Sequence, residues 1–241
     1  MQTWKTKDLP EKWKPTAISI AKYMPTWNYI LMTDEMNRAF ILEHFPDFLP
    51  YYDAFPYPIQ RADAVRYAWL YIKGGLYLDC DFELLAPLDE LFQEDHELYL
   101  VASSNTPSVI TNGFMAAKPG NKMWLDMIEE MKKPVGLSWI EKHLHVMNTT
   151  GPMAFNRVVK KGYEYKLLPS SKINPYTLCE KIYNKEGALL RPLEGSSWVG
   201  GAASVYQWCY CQTNYILIWS IIIGLILLLL VLMYYNKILI L

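Results

Sequence analysis

Short apolar runs and apolar positions at helical spacing take turns along most of the chain. Tyr29-Ile30-Leu31-Met32 is an unbroken apolar run of strand length, and Thr33 or Asp34 can cap a helix reaching about His44. Pro46, Pro50, Pro56 and Pro58 then predict an extended connection. From Ile59 to Lys73 the pattern is helical. Ala62, Val65, Trp69 and Ile72 fall on one face, and Asp63 and Arg66, three residues apart, on another. Gly74-Gly75 ends this helix, since glycine takes the left-handed conformation at little steric cost. Leu76 to Phe82 reads as a strand, with Leu76, Leu78, Cys80 and Phe82 on one face and Tyr77, Asp79 and Asp81 on the other. Asp89 to Glu94, Asn121 to Lys132 and Ser138 to His143 read as helices. The alternation predicts an α/β sandwich with a mostly parallel sheet.

The rhythm changes near the C-terminus. Tyr215 to Met233 carries no charge and as a helix would extend about 28 Å, close to the hydrocarbon thickness of a bilayer. Trp208, Tyr210 and Tyr215 before it and Tyr234 and Tyr235 after it form an aromatic belt at each end. The organisation expected is therefore a domain over 1–212, a transmembrane helix over 213–235 and a short tail over 236–241. The position of Lys237 favours a cytosolic tail with the domain across the membrane, whereas the N-terminus offers no signal segment to carry it there.

Charge is nearly balanced, with 23 basic and 24 acidic residues, so the basic excess of a phosphate-gripping protein is absent and nucleic acid is not an expected partner. The four cysteines show neither zinc spacing nor a disulfide framework. His44, His96, His143 and His145 are too scattered for a metal site. Asn148-Thr149-Thr150 is a glycosylation sequon, for which a site role or a plain turn is the preferred reading.

The chemistry concentrates at Asp79-Cys80-Asp81. Two carboxylates near a strand end suit a hard divalent cation such as Mn²⁺ or Mg²⁺, which can bridge a diphosphate and neutralise charge on it as it leaves. Asp-x-Asp alone is close to a chance occurrence. Asp63 and Arg66 on the preceding helix, returned beside it by Gly74-Gly75, make the combination specific. Arg66 can balance the carboxylates or bind phosphate, and Asp63 can accept hydrogen bonds from sugar hydroxyls.

Gln60-Arg61-Ala62-Asp63-Ala64-Val65-Arg66-Tyr67 followed by Gly74-Gly75-Leu76-Tyr77-Leu78-Asp79-Cys80-Asp81 resembles the DXD-motif sugar transferases of glycosyltransferase family thirty-two. These include initiating α-1,6-mannosyltransferases of the yeast type, catalytic subunits of mannosyl phosphorylinositol ceramide synthase, and capsular polysaccharide enzymes. Gln2-Thr3-Trp4, Leu31-Met32-Thr33-Asp34, Asn112 to Gly120, Thr150-Gly151-Pro152 and Gly195-Ser196-Ser197-Trp198 look like further family blocks. The resemblance implies a GT-A-type nucleotide-sugar-binding fold, retention of configuration and a divalent metal, usually Mn²⁺. It implies metal ligation by Asp81, with Asp79 on ribose or metal-bound water and Glu194 or Ser197 completing the shell. Asp63, Arg66, Tyr77, Asp79, Asn112, Thr150 and Trp198 would then contact the donor.

The function so implied is transfer of a hexose, mannose before others, from a nucleotide-sugar (GDP-mannose before UDP-sugars) to a lipid or glycan acceptor. The setting would be a Golgi- or ER-type membrane that holds the protein by a single C-terminal anchor. Two departures weigh on turnover. Relatives open with a further strand residue block before Gln-Thr-Trp, so the first strand is expected to be missing, and Val199 stands where many have His after Trp198. A membrane-tethered sugar-nucleotide-binding or scaffold protein is the alternative that these departures keep open. A phosphohydrolase using Asp-x-Asp would leave Asp63 and Arg66 unexplained.

Overall fold

A computed structural model describes residues 1–135, 142–173, 175–176, 179, 186–193, 208–212, 217 and 219–229. The chain divides into two compact units, Met1–Trp198 and Val199–Leu241.

The first unit opens with β1 (Gln2–Thr3), α1 (Lys14–Tyr23), β2 (Leu31–Met32) and α2 (Asp34–His44), whose N-terminus is capped by the Thr33 hydroxyl accepting from Met36 N. Next come α3 (Leu49–Ala54), α4 (Pro58–Ile72), β3 (Gly75–Leu78), β4 (Phe82–Leu84), β5 (Leu98–Ala102) and β6 (Ile110–Ala117). Helices α5 (Lys122–Met131), α6 (Lys142–Thr149) and α7 (Pro152–Val159) lead to β7 (Lys166–Leu168), α8 (Ser170–Ile173) and β8 (Leu190–Pro192).

The central sheet has the order β3-β6-β5-β7. Strand β6 is antiparallel to both β3 and β5, and β5 is parallel to β7. The sheet is therefore mixed, against the expectation of a mostly parallel one. The segment between Ala102 and Ile110 is too short for the crossover that a parallel pair demands, so β5 and β6 form a hairpin. A second parallel pair, β1 with β2, reaches β3 through Met1. Met1 N donates to Leu76 O at 2.8 Å, and Met1 O accepts from Leu78 N at 3.3 Å, bracketing Tyr77 as parallel neighbours do.

Side chains alternate across this sheet. On β5, Leu98 and Leu100 join the core under α2, α4, α5 and α7, where Tyr67, Trp124 and Phe155 stack. Tyr99 and Val101 enter the core of the opposite face, with Leu76, Leu78 and Phe114. Tyr77 therefore faces α4, as does whatever continues its alternation.

Three local readings change. The proline-rich stretch is helical, because Pro46 and Pro50 occupy first-turn positions, where the missing N–H costs nothing. Helix α4 does not have one packed and one polar side, since Gln60, Asp63 and Arg66 are as buried as Ala64, Val65 and Ala68. The strand over Leu76–Phe82 breaks after Leu78, and Asp79 to Asp81 turn the chain into β4, which pairs with β8. Gly74 is required where it stands: its φ is +65°, and an added Cβ would lie 2.7 Å from Pro119 N.

Cys179 of the first unit is disulfide-bonded, which the cysteine spacing did not suggest. In the second unit, residues 219–229 are helical and expose Trp219, Ile221, Leu225 and Leu229. Among the described residues no helix is long and apolar enough to cross a membrane. Residues 213–216, 218 and 230–241 of the expected span and tail lie outside the described residues.

Candidate active site

Two buried residues on one turn of α4 organise the site. The Arg66 guanidinium contacts Asp63 Oδ1 through Nη2 at 3.0 Å and Asp79 Oδ1 through Nη1 at 3.2 Å. Its Nη1 also donates to Asn112 O at 2.9 Å, and its plane lies 4.4 Å from the centroid of the Tyr77 ring. Burial opposes the charge on Arg66, but Tyr77, Asp79 and Asp63 outweigh it and keep the guanidinium protonated.

Asp63 is equally committed. Its Oδ2 accepts from the Thr150 hydroxyl at 2.7 Å, and its Oδ1 from Asn112 Nδ2 at 3.2 Å. Burial draws its carboxyl upward from the usual range, while Arg66 and the Thr150 hydroxyl pull the other way. The Tyr67 hydroxyl closes the network by accepting from Asn112 Nδ2 at 2.9 Å and donating to Thr150 O at 2.9 Å.

The turn after β3 behaves differently. Asp79 is held by its own N–H on Gly113 O at 2.9 Å and by the Tyr77 hydroxyl, which donates to Oδ1 at 2.6 Å. Gln2 supports the same turn from β1, donating from Nε2 to Asp79 O at 3.1 Å. Gly113 leaves room for this carboxylate, since a Cβ there would sit 2.6 Å from Asp79 Oδ2. Asp81 is held through its backbone, with Leu193 N donating to Asp81 O at 2.7 Å. Its Oδ1 is buried with no hydrogen-bond partner among the described residues, and burial together with the Asp79 charge pushes its carboxyl up to about 7.

These groups line a cavity of about 320 Å³. Asp63, Arg66, Tyr77, Asp79, Asp81 and Asn112 lie on it, with Thr3, Trp4, Lys5 and Trp13 along one stretch and Lys142, Val146 and Met147 of α6 along another. Trp4 and Trp13 pack edge to face at 4.8 Å. Thr150 stands behind the cavity as a partner of Asp63, and its neighbours Gly151 and Pro152 are in the lining. The sequon residue Asn148 lies within α6, its side chain donating to Leu144 O. Among the described residues no three His, Cys, Asp or Glu side chains converge on a metal position. Glu194, Ser197 and Trp198 lie outside the described residues.

Thus Asp63, Arg66, Tyr77, Asp79, Asp81, Asn112 and Thr150, read from the sequence as one site, converge. Four contributors were not singled out as site residues. Tyr67 and Gly113 were inside the blocks carrying the resemblance, and adjacency to Arg66 and to Asn112 was their signal. Gln2 was in the opening block. Lys142 had no local sequence signal.

The family described as glycosyltransferase sugar-binding region containing DXD motif matches residues 10–97. Inositol phosphoceramide mannosyltransferase 2 of Schizosaccharomyces pombe is 34% identical over 221 residues, covering 90% of this chain and 62% of its own. Mannosyl phosphorylinositol ceramide synthase SUR1 of Saccharomyces cerevisiae is 33% identical over 199 residues, 82% of this chain and 50% of its own. The chain thus spans between half and two thirds of the length of these relatives. Among solved structures, PaToxG Glycosyltransferase aligns over 66% of each chain with a TM-score of 0.49 at 18% identity, too distant for any residue to be carried across. Residues 10–97 are thus similar to a glycosyltransferase sugar-binding region, and the Asp-x-Asp within them is Asp79-Cys80-Asp81.

Proposed function

We propose that the chain is a metal-dependent, retaining glycosyltransferase of GT-A type that moves mannose from a nucleotide-sugar, GDP-mannose before UDP-sugars, to a membrane sphingolipid such as inositol phosphoceramide. The names of the curated relatives support the sugar and the acceptor class. The observation that carries the reading is Asp81, whose buried Oδ1 lacks any partner directly beside the carboxylate of Asp79.

An orphaned, buried carboxylate oxygen is costly unless a ligand completes it. Asp79 and Asp81 therefore fit a hard divalent cation, Mn²⁺ or Mg²⁺, with Glu194 or Ser197 and donor oxygens as further ligands. When bound, the metal neutralises charge gathering on the leaving diphosphate.

The protein's own groups do the positioning. Asp63 has three donors on its two oxygens, which leaves about one lone pair for a sugar hydroxyl. Arg66 keeps one N–H of Nη2 for the donor while it holds Asp63 and Asp79 at a fixed separation. Asn112 and Thr150 act chiefly by orienting Asp63. Trp198 closing over the donor remains part of the reading. So does a C-terminal membrane anchor over 213–235, supported by the apolar residues exposed along 219–229. The disulfide-bonded state of Cys179 favours an oxidising compartment such as the Golgi or ER lumen for the domain.

The test is Asp81→Ala. It should abolish Mn²⁺-dependent sugar transfer and donor hydrolysis; full activity in this variant would overturn the assignment. Donor binding without turnover in the unaltered protein would support the scaffold reading instead.

A further inference from the structure

The ionic groups that line the cavity are the acids Asp34, Asp63, Asp79 and Asp81 and the bases Lys5, Arg66 and Lys142. Of the three bases, Arg66 alone is ion-paired among the described residues. Arg66 lies between Asp63 and Asp79. Lys5 rests its ammonium 5.6 Å from the centroid of the Trp4 ring, and its backbone O accepts from Asp34 N at 3.4 Å. Lys142 likewise rests its ammonium 5.6 Å from the centroid of the Tyr57 ring, with no carboxylate within ion-pair distance among the described residues, and what sets it apart is where it stands on the cavity wall.

The neighbours of Lys142 are apolar. Val146 and Met147 lie about one helical turn further along α6 and line the same cavity, and so do Pro58 and Ile59 at the start of α4. The cavity wall therefore offers a cation at one end of an apolar strip. A nucleotide-sugar carries no long aliphatic body, and its diphosphate would find its partner in the cation that Asp79 and Asp81 would hold. An anionic group joined to an apolar body fits the Lys142 wall better, because a cation on an aromatic face pairs with phosphate as a point charge while the strip takes apolar surface.

We propose that Lys142 binds the phosphodiester of an anionic lipid acceptor and so marks the acceptor side of the cavity, with Val146 and Met147 beside the apolar part. This rests on the glycosyltransferase reading above and adds to it the acceptor subsite and the charge it selects.

The full chain is assayed with Mn²⁺ and GDP-mannose against three acceptors: inositol phosphoceramide in mixed micelles, water-soluble glycerophosphoinositol, and neutral myo-inositol. Lys142→Ala should raise KM for both phosphodiesters about tenfold and leave KM for GDP-mannose within about twofold. Lys142→Arg should restore most of the difference, and Lys142→Glu should raise the acceptor KM further. A loss confined to the micellar lipid would assign Lys142 to the membrane surface and overturn the subsite. An equal rise in KM for GDP-mannose would place Lys142 on the donor diphosphate, and unchanged acceptor KM values would also overturn the proposal. Failure of the glycosyltransferase reading itself shows separately, as absence of Mn²⁺-dependent transfer and donor hydrolysis in the unaltered protein.

Discussion

The two ends of the ionic cluster differ in how completely they are bonded. At the α4 end, Asp63 accepts from Arg66, Thr150 and Asn112, and Tyr67 ties two of those partners together. At the turn after β3, Asp81 keeps a buried oxygen with no partner and a carboxyl pushed up to about 7. Among the described residues the first end is saturated by the fold, and the second is not. A buried charge network stabilises only when its members are satisfied, so the two ends should answer oppositely to removal of a carboxylate.

The largest effect is expected from breaking the saturated end. Asp63→Ala leaves Arg66 buried with Asp79 alone and should cost on the order of 3–5 kcal/mol in urea unfolding, with loss of activity. Gly113→Ala comes next. Its Cβ would meet Asp79 Oδ2 at 2.6 Å, so the carboxylate must move, and kcat/KM should fall about a hundredfold while stability changes little by comparison. Tyr67→Phe keeps the aromatic stack but takes the partner from one N–H of Asn112 Nδ2 and from Thr150 O, for about 1–2 kcal/mol of stability and a moderate rise in donor KM.

The smallest effect has the opposite sign. Asp81→Asn should raise the melting temperature of the metal-free protein at pH 8 by about 2–4 °C and erase the shift that Mn²⁺ produces in the unaltered protein. Its pH dependence follows from the raised carboxyl. Between about pH 4 and 7 the folded protein holds a proton that the unfolded chain has released, so metal-free stability falls as pH rises across that window. Metal competes with the same proton, so apparent Mn²⁺ affinity should rise up to about pH 7 and flatten beyond it. Thermal melts with and without Mn²⁺ from pH 5 to 8 check both slopes.

Much of this site was legible in the sequence because its chemistry is local. Asp63 and Arg66 are a helical turn apart, and Gly74-Gly75 is a turn signal whose geometry the structure bears out in two positive φ angles. What stayed hidden depends on tertiary burial. Helical spacing assigned Ala62, Trp69 and Ile72 to the packed face and left Asp63 and Arg66 on the polar one. In the fold, helices on one side and the sheet on the other enclose α4 almost all round, turning an ordinary helical ion pair into a buried one. The strand through Asp81 was too long because nothing local announces the break after Leu78. The short link from β5 to β6, and hence the mixed sheet, was present in the sequence but was outweighed by the overall alternation of strands and helices. Lys142 becomes visible only when α6 is seated beside α4.

Calorimetric titration of GDP-mannose into the full chain, with and without Mn²⁺, tests the central claim most directly. If the orphaned oxygen of Asp81 and the Asp79 carboxylate await a metal that holds the donor diphosphate, binding should be saturable with Mn²⁺, at least tenfold weaker without it, and insensitive to Mn²⁺ in Asp81→Asn. Equal affinity with and without Mn²⁺ in the unaltered protein would contradict it.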